Sequence, residues 1–200
     1  MLAELPHSTQ LVSSSLLSLL SRIDDDLVER TREDRCPYCG GPLHRSDYTR
    51  KPRGAPDDAD VPEDCLRRRS LCCGREGCRR RCLPPSCLFL GRRVYFGCAV
   101  LLILTASSGD RRRHSARELR RRFGVSWATV KRWIAYFRDE FPGSRIWQGL
   151  RGHVGPEVRS DALPESLVTI VVQEAACVEQ GLARSLALLS GCRAEWMHRI

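Results

Sequence analysis

Two short cysteine pairs restrict the possible folds of this 200-residue chain more than any other feature. The first is Cys36-Pro37-Tyr38-Cys39-Gly40, and the second is Cys73-Gly74-Arg75-Glu76-Gly77-Cys78. Two residues between cysteines let both thiolates reach one tetrahedral ion, and Gly40 frees the backbone to turn its amides toward the sulfurs. Redox motifs share a lone Cys-x-x-Cys, so it is the second pair, with four residues between, that points to a metal. Two such turns, each giving two thiolates, make a zinc ribbon, a module that folds largely because the ion binds it. Four thiolates leave no position for water, which argues for a structural rather than a catalytic Zn2+.

The second pair has competitors. Cys65, Cys72, Cys82 and Cys87 all lie close enough in sequence to replace one of its members. If Leu71–Cys73 is extended, Cys72 and Cys73 point to opposite faces and only one should ligate. Cys73 is preferred because the following Gly-Arg-Glu-Gly can close the turn to Cys78, giving Cys36, Cys39, Cys73 and Cys78 as expected ligands. The intervening loop is long, but Tyr48–Asp64, rich in Pro, Gly and Asp, reads as an inserted mobile loop. Cys98, Cys177 and Cys192 sit in apolar helical settings and are expected to be buried and inert.

Eleven cysteines would suit a disulfide scaffold only in a secreted chain. The N-terminus, Met1-Leu-Ala-Glu-Leu-Pro, has no basic region of the signal-peptide kind. The longest apolar run, Val94 to Ala106, is 13 residues and too short to span a bilayer. The expectation is therefore a reducing, cytoplasmic, nucleoid-associated location with no membrane contact.

The net charge of +9 is unevenly placed. Residues 1–64 carry a net of −5, residues 65–93 and 111–132 carry +8 each, and 94–110 and 133–200 carry −1 each. Two short positive blocks are what a polyanion-binding face requires. Arg supplies nearly all of them, with Lys only at Lys51 and Lys131, and its planar fork suits phosphate. The acidic runs Asp24-Asp25-Asp26 and Asp57-Asp58-Ala59-Asp60 read as solvated charges.

Periodicity predicts an amphipathic helix over Leu11–Leu27 and a buried helix over Gly91–Ser107. It also predicts a helical unit over Ser115–Phe141, an irregular connector from Gly143 to Val158, and a final amphipathic helix over Pro164–Leu189, broken at Gly181. The fold class is mainly α with a small zinc-ribbon β element, an α+β chain built on a helix-turn-helix bundle. Four segments are expected: 1–34, an N-terminal helix; 35–90, the Cys/Arg module; 91–142, the helix-turn-helix; and 143–200, the connector and last helix.

Within the third segment, Ser115-Ala116-Arg117-Glu118 is a capping-box sequence. Phe123-Gly124-Val125-Ser126 then reads as a turn, in which Gly124 ends one helix, Val125 wedges between helices and Ser126 caps the next. Val130, Ile134 and Phe137 would face inward and Trp133 partly so. Trp127, Thr129, Lys131 and Arg132 would face outward near the helix N-terminus, the part that enters a major groove. Arg111-Arg112-Arg113 reads as a phosphate-gripping arm.

This pattern resembles the helix-turn-helix of bacterial transposases, over about 25 residues. With the cysteine turns and Cys78-Arg-Arg-Arg upstream, it is similar to the DNA-recognition region of insertion-sequence transposases. The resemblance implies that Thr129, Lys131 and Arg132 occupy recognition positions. It also implies a catalytic domain further downstream, but only 63 residues follow Phe137 and no separated carboxylates are evident. The expected function is therefore duplex-DNA recognition without catalysis, associated with a mobile element. A transcriptional regulator, a DNA-binding subunit or fragment for a separate recombinase, and an adaptor for RNA or protein are the alternatives. Leu167, Ile170, Val171, Leu182, Leu186 and Leu189 are expected to pair with a second copy or a partner recombinase.

Overall fold

Apolar residues at helical spacing begin the fold. Ser13 caps α1 (Ser14–Glu33), its hydroxyl accepting from the Leu16 amide at 3.0 Å. The helix buries Leu16, Leu17, Leu20, Ile23 and Leu27 and runs further than the periodicity predicts. The computed structural model describes residues 12–55, 60–90, 95–107 and 113–192, without the side chains of 113–116 and 119. Five short strands follow α1: β1 (Leu43–Arg45), β2 (Tyr48–Thr49), β3 (Arg67–Arg68), β4 (Leu71–Cys73) and β5 (Arg81–Cys82). Strands β1, β4 and β5 form an antiparallel sheet in that order, with Leu43 opposite Cys73 and Leu71 opposite Cys82. A second antiparallel pair, β2 with β3, closes the base of the Tyr48–Asp64 segment, which sequence alone reads as plain loop.

The rest is helical. Helix α2 (Gly97–Ser107) buries every residue from Gly97 to Ala106, because it is apolar all round and surrounded by α3, α4, α6 and α7. It starts later than the predicted Gly91; residues 91–94 lie outside the described set, and Phe96 instead bridges to Phe89 and stacks on it at 5.5 Å. Helices α3 (Arg113–Arg122) and α4 (Trp127–Ala135) are joined by residues 123–126. A π turn over Tyr136–Glu140 and a 3-10 turn over Phe141–Gly143 continue from α4. Helix α5 (Arg145–Leu150) occupies the expected connector: Ser144 caps it, and the burial of Trp147 at 2 % exposure holds it down. The expected last helix is two, α6 (Glu165–Glu174) and α7 (Val178–Leu189), packed as a hairpin.

The chain break lies at 175–177, not at Gly181. A Cβ on Gly181 would lie 2.6 Å from Val172 Cα, so this glycine is a point of close helix contact. The Gln180 side chain accepts from the Ala176 amide at 3.0 Å and helps to start α7. Among the residues expected to pair with a partner, Leu167, Leu182, Leu186 and Leu189 are buried in this chain's own core at 0–3 % exposure. They are therefore not free to pair with a second copy. Cys177, expected in the core, is exposed at the start of α7.

One apolar core joins α1, Cys87–Phe89, α2, the 123–125 turn, α4, α5, α6 and α7. A smaller cluster of Val28, Cys36, Leu43, Leu71, Cys73 and Cys82 lies under the cysteine turns. Two acids expected in solvent tie these parts together. Asp24 is 1 % exposed and accepts from Ser86 Oγ at 2.5 Å, Cys87 N at 2.6 Å and, more weakly, Leu88 N at 3.4 Å. Burial pushes its carboxyl up to about 6, against the pull of those donors and of the Arg68 charge. Asp25 accepts from Arg69 and Arg45. Burial opposes its ionisation, but these two guanidinium groups hold it below the ordinary carboxylate range. Asp57 and Asp58 lie outside the described residues. Among the described residues no helix is long and apolar enough to cross a membrane.

Candidate functional site

The sheet brings the two cysteine pairs together. Strand β4 delivers Cys73 at its end, and the following 74–78 turn folds back so that Cys78 N donates to Arg75 O at 3.1 Å. Facing it, Gly40 N donates to Cys36 O at 2.8 Å, with Gly40 at φ +68°, the left-handed conformation that favours glycine there. Gly41 sits where a Cβ would press to 3.0 Å from Cys73 Sγ and 3.3 Å from Cys39 Sγ. The absence of a side chain at position 41 is what lets the turns meet.

Cys36, Cys39, Cys73 and Cys78 place their sulfurs within 4.8 Å of one another. The Cys36–Cys78 and Cys39–Cys73 separations are 3.9 and 3.5 Å. A tetrahedral ion with Zn–S bonds of about 2.3 Å has S···S edges of about 3.8 Å. The group can therefore hold a metal ion, and its dimensions are compatible with zinc. Backbone amides reinforce it: Arg75 N donates to Cys73 Sγ at 3.4 Å. Burial opposes ionisation of Cys36, but the Tyr38 and Cys39 amides and the neighbouring thiols bring it down to about 7. At Cys73 the Arg75 amide favours the thiolate, yet burial and three nearby sulfurs push the thiol up to about 12. One thiol ionises readily and the next resists, until a divalent cation supplies the countercharge.

The competing cysteines are elsewhere. Cys72 points away from the cluster, its thiol donating to Arg79 O at 3.4 Å, as the strand alternation predicts. Cys65 is buried against Leu17 O, Cys82 lies in the small core, and Cys87 contacts Cys192.

Around the cysteine turns the Arg block divides. Arg68 and Arg69 are buried at 4 and 5 % exposure, Arg68 donating to Pro84 O and Arg69 to Asp25 and Ser21. They are structural, not free for phosphate. Arg75, Arg79, Arg80 and Arg81 are exposed, and among the described residues none has a carboxylate within ion-pair distance. Arg80 lies over the exposed Tyr38 ring at 4.7 Å. That stack between the two turns follows from no local sequence pattern.

The 123–126 turn takes the local conformations read from sequence. Gly124 has φ +59°, Val125 is buried, and Ser126 accepts from the Thr129 amide at 3.3 Å. Ahead of it α3 begins at Arg113, two residues before Ser115, so Ser115 is inside the helix and not its cap. The straight-chain arginines there are good helix formers and extend it. Arg111 and Arg112 lie outside the described residues, and Arg113 opens α3 with its side chain undescribed.

On α4, Val130, Trp133 and, just beyond, Phe137 are buried, with Trp133 more deeply placed than expected and Ile134 less so. Trp133 meets Tyr95 edge-on at 5.1 Å. Trp127 is 46 % exposed, Lys131 and Arg132 are exposed as expected, and Ala128 is exposed with them. Thr129 is not: it is 6 % exposed, because its hydroxyl closes onto Ser126 Oγ at 3.0 Å and accepts from Arg132 at 3.1 Å. Its role is to complete the cap and orient Arg132. Arg120 of α3 reaches over the Trp127 ring at 5.7 Å and joins the two helices' exposed sides.

No protein-family model matches the chain, and no similar curated protein or solved structure was found.

Proposed function

We propose that this chain is a zinc-stabilised protein that recognises duplex DNA without catalysing a reaction on it, in the manner of the recognition region of a mobile-element transposase. Helices α3 and α4 act as the helix-turn-helix, and the N-terminal half of α4 enters the major groove. The observation that carries this reading is the form of α4. Its inner stripe is buried, and its first two turns present Trp127, Ala128, Lys131 and Arg132 to solvent. Arg117 and Arg121 of α3 are exposed too. Among the described residues, Lys131 and Arg132 have no carboxylate partner that would have to be displaced. The metal holds the two cysteine turns as a ribbon and supplies no reactive chemistry. Arg79, Arg80 and Arg81 are carried by that ribbon and contact phosphates. Thr129 positions Arg132 and does not touch bases.

Fluorescence anisotropy with the zinc-loaded chain and labelled random-sequence duplex tests the reading. Binding should weaken steeply with salt, with a log–log slope of about 0.9 per neutralised phosphate. Lys131→Ala combined with Arg132→Ala should reduce the affinity, and the slope should fall by about 1 for each of the two that meets a phosphate rather than a base. Unchanged affinity and slope would remove α4 from the interface. Cleavage or strand transfer by the purified chain would overturn the non-catalytic assignment.

A further inference from the structure

A cleft of about 820 Å3 runs between the Arg81–Ser86 stretch and the helical part, and Ser86, Ile146, Leu189 and Ser190 are in its wall. Close in sequence to two of these residues stand two thiols outside the metal cluster, neither of them in the cleft wall itself. Cys87 follows Ser86, Cys192 stands two residues after Ser190, and their sulfurs are 3.9 Å apart. The backbone on both sides is fixed. Cys87 N donates to Asp24 at 2.6 Å, Cys192 N to Ala187 O at 2.9 Å, and Ser190 Oγ to Ser86 O at 2.7 Å. Gly191, at φ +82°, makes the turn that brings Cys192 back over the end of α7. A disulfide has an S–S bond of about 2.05 Å, so side-chain rotation has about 2 Å to supply.

We propose that Cys87 and Cys192 form a dithiol–disulfide pair that a hydroperoxide closes, entering through the cleft. Cys192, a residue 8 % exposed against 0 % for Cys87, supplies the attacking sulfur. Cys87, the more deeply buried of the two, takes the second role. Cys192 sulfur attacks one peroxide oxygen, the O–O bond breaks, and water leaves with the thiol proton, giving a sulfenic acid. Cys87 sulfur then attacks Cys192 sulfur, the S–O bond breaks and a second water leaves with the Cys87 proton. Two thiols and one hydrogen peroxide become one disulfide and two waters, and two electrons pass from sulfur to oxygen. The new bond ties the end of α7 to the 86–88 stretch that Asp24 holds against α1. It links residues 105 positions apart, so the oxidised chain should resist unfolding more strongly.

The test uses the full zinc-loaded chain, treated with hydrogen peroxide, blocked with N-ethylmaleimide and digested with trypsin. Cleavage at arginine gives one peptide of residues 82–92, with Cys82 and Cys87, and one of residues 185–193, with Cys192. The expected product is these two joined, two hydrogens lighter than the sum of the two peptides with one maleimide on Cys82, and with fragmentation placing the link at Cys87. Dithiothreitol should abolish it, and the oxidised protein should melt at a higher temperature than the reduced one. Cys87→Ser should leave Cys192 as a sulfenic acid that dimedone labels. If the variant fails to fold, the wild-type digest decides alone. Recovery of Cys192 alkylated, over-oxidised or joined to Cys82, with no link to Cys87, would overturn the proposal.

Discussion

Replacing Asp24 by Asn tests how much a buried charge costs this fold. The carboxylate is 1 % exposed and accepts three hydrogen bonds, yet burial still pushes it up to about 6 from the ordinary 3.8. A folded-state pKa above the unfolded one means that the folded chain holds the proton more tightly. The associated stability is complete below about pH 4 and is lost as pH rises through about 6. The displacement corresponds to about 3 kcal/mol over the whole window, of which about 1.4 kcal/mol falls between about pH 5 and about pH 8. Asp24→Asn keeps an oxygen for the Cys87 amide and removes the titration. Urea unfolding followed by the fluorescence of buried Trp133 and Trp147 should show the gap between variant and wild type moving in the variant's favour by that amount as pH rises. The metal site titrates alike in both proteins and cancels in the difference. A gap that stays constant with pH, or moves the other way, would refute the burial argument.

Cys73→Ser should lose the bound metal and unfold the cysteine module, whereas Cys72→Ser, one residue away but on the other face of β4, should keep it. Metal content after dialysis checks both, with about one ion per chain expected for the wild type and for Cys72→Ser. Gly181→Ala should destabilise the chain by about 1–3 kcal/mol in urea melts, since its Cβ would strike the Val172 backbone at the α6–α7 contact. Ser126→Ala should cost about 1 kcal/mol of thermal or urea stability by uncapping α4.

Features governed by neighbours in sequence were legible before any coordinates. The cysteine spacings, the alternation that separates Cys72 from Cys73, and the Gly124 and Ser126 turn residues are all set within a few positions. What was not legible depends on distant partners. Asp24 reads as one of three solvated acids, and only Ser86 and Cys87, more than 60 residues away, make its burial tolerable. Arg68 and Arg69 read as part of a phosphate-binding block, but the Pro84 carbonyl, Asp25 and Ser21 take them inward. Thr129 falls on the outer side of α4 by simple helical geometry, and its bond to Ser126 folds it back. Gly181 reads as a helix breaker, whereas it is the close crossing of α6 that requires a residue without a side chain.

Selection of binding sites from a random duplex pool tests the central claim most directly. Zinc-loaded wild-type chain should enrich a defined short sequence, and Arg132→Ala should relax the preference at one or two of its positions while Thr129→Ser leaves it intact. A wild-type pool that stays unenriched, or a motif that survives loss of both Trp127 and Arg132 unchanged, would contradict the assignment of α4 as the DNA-reading helix.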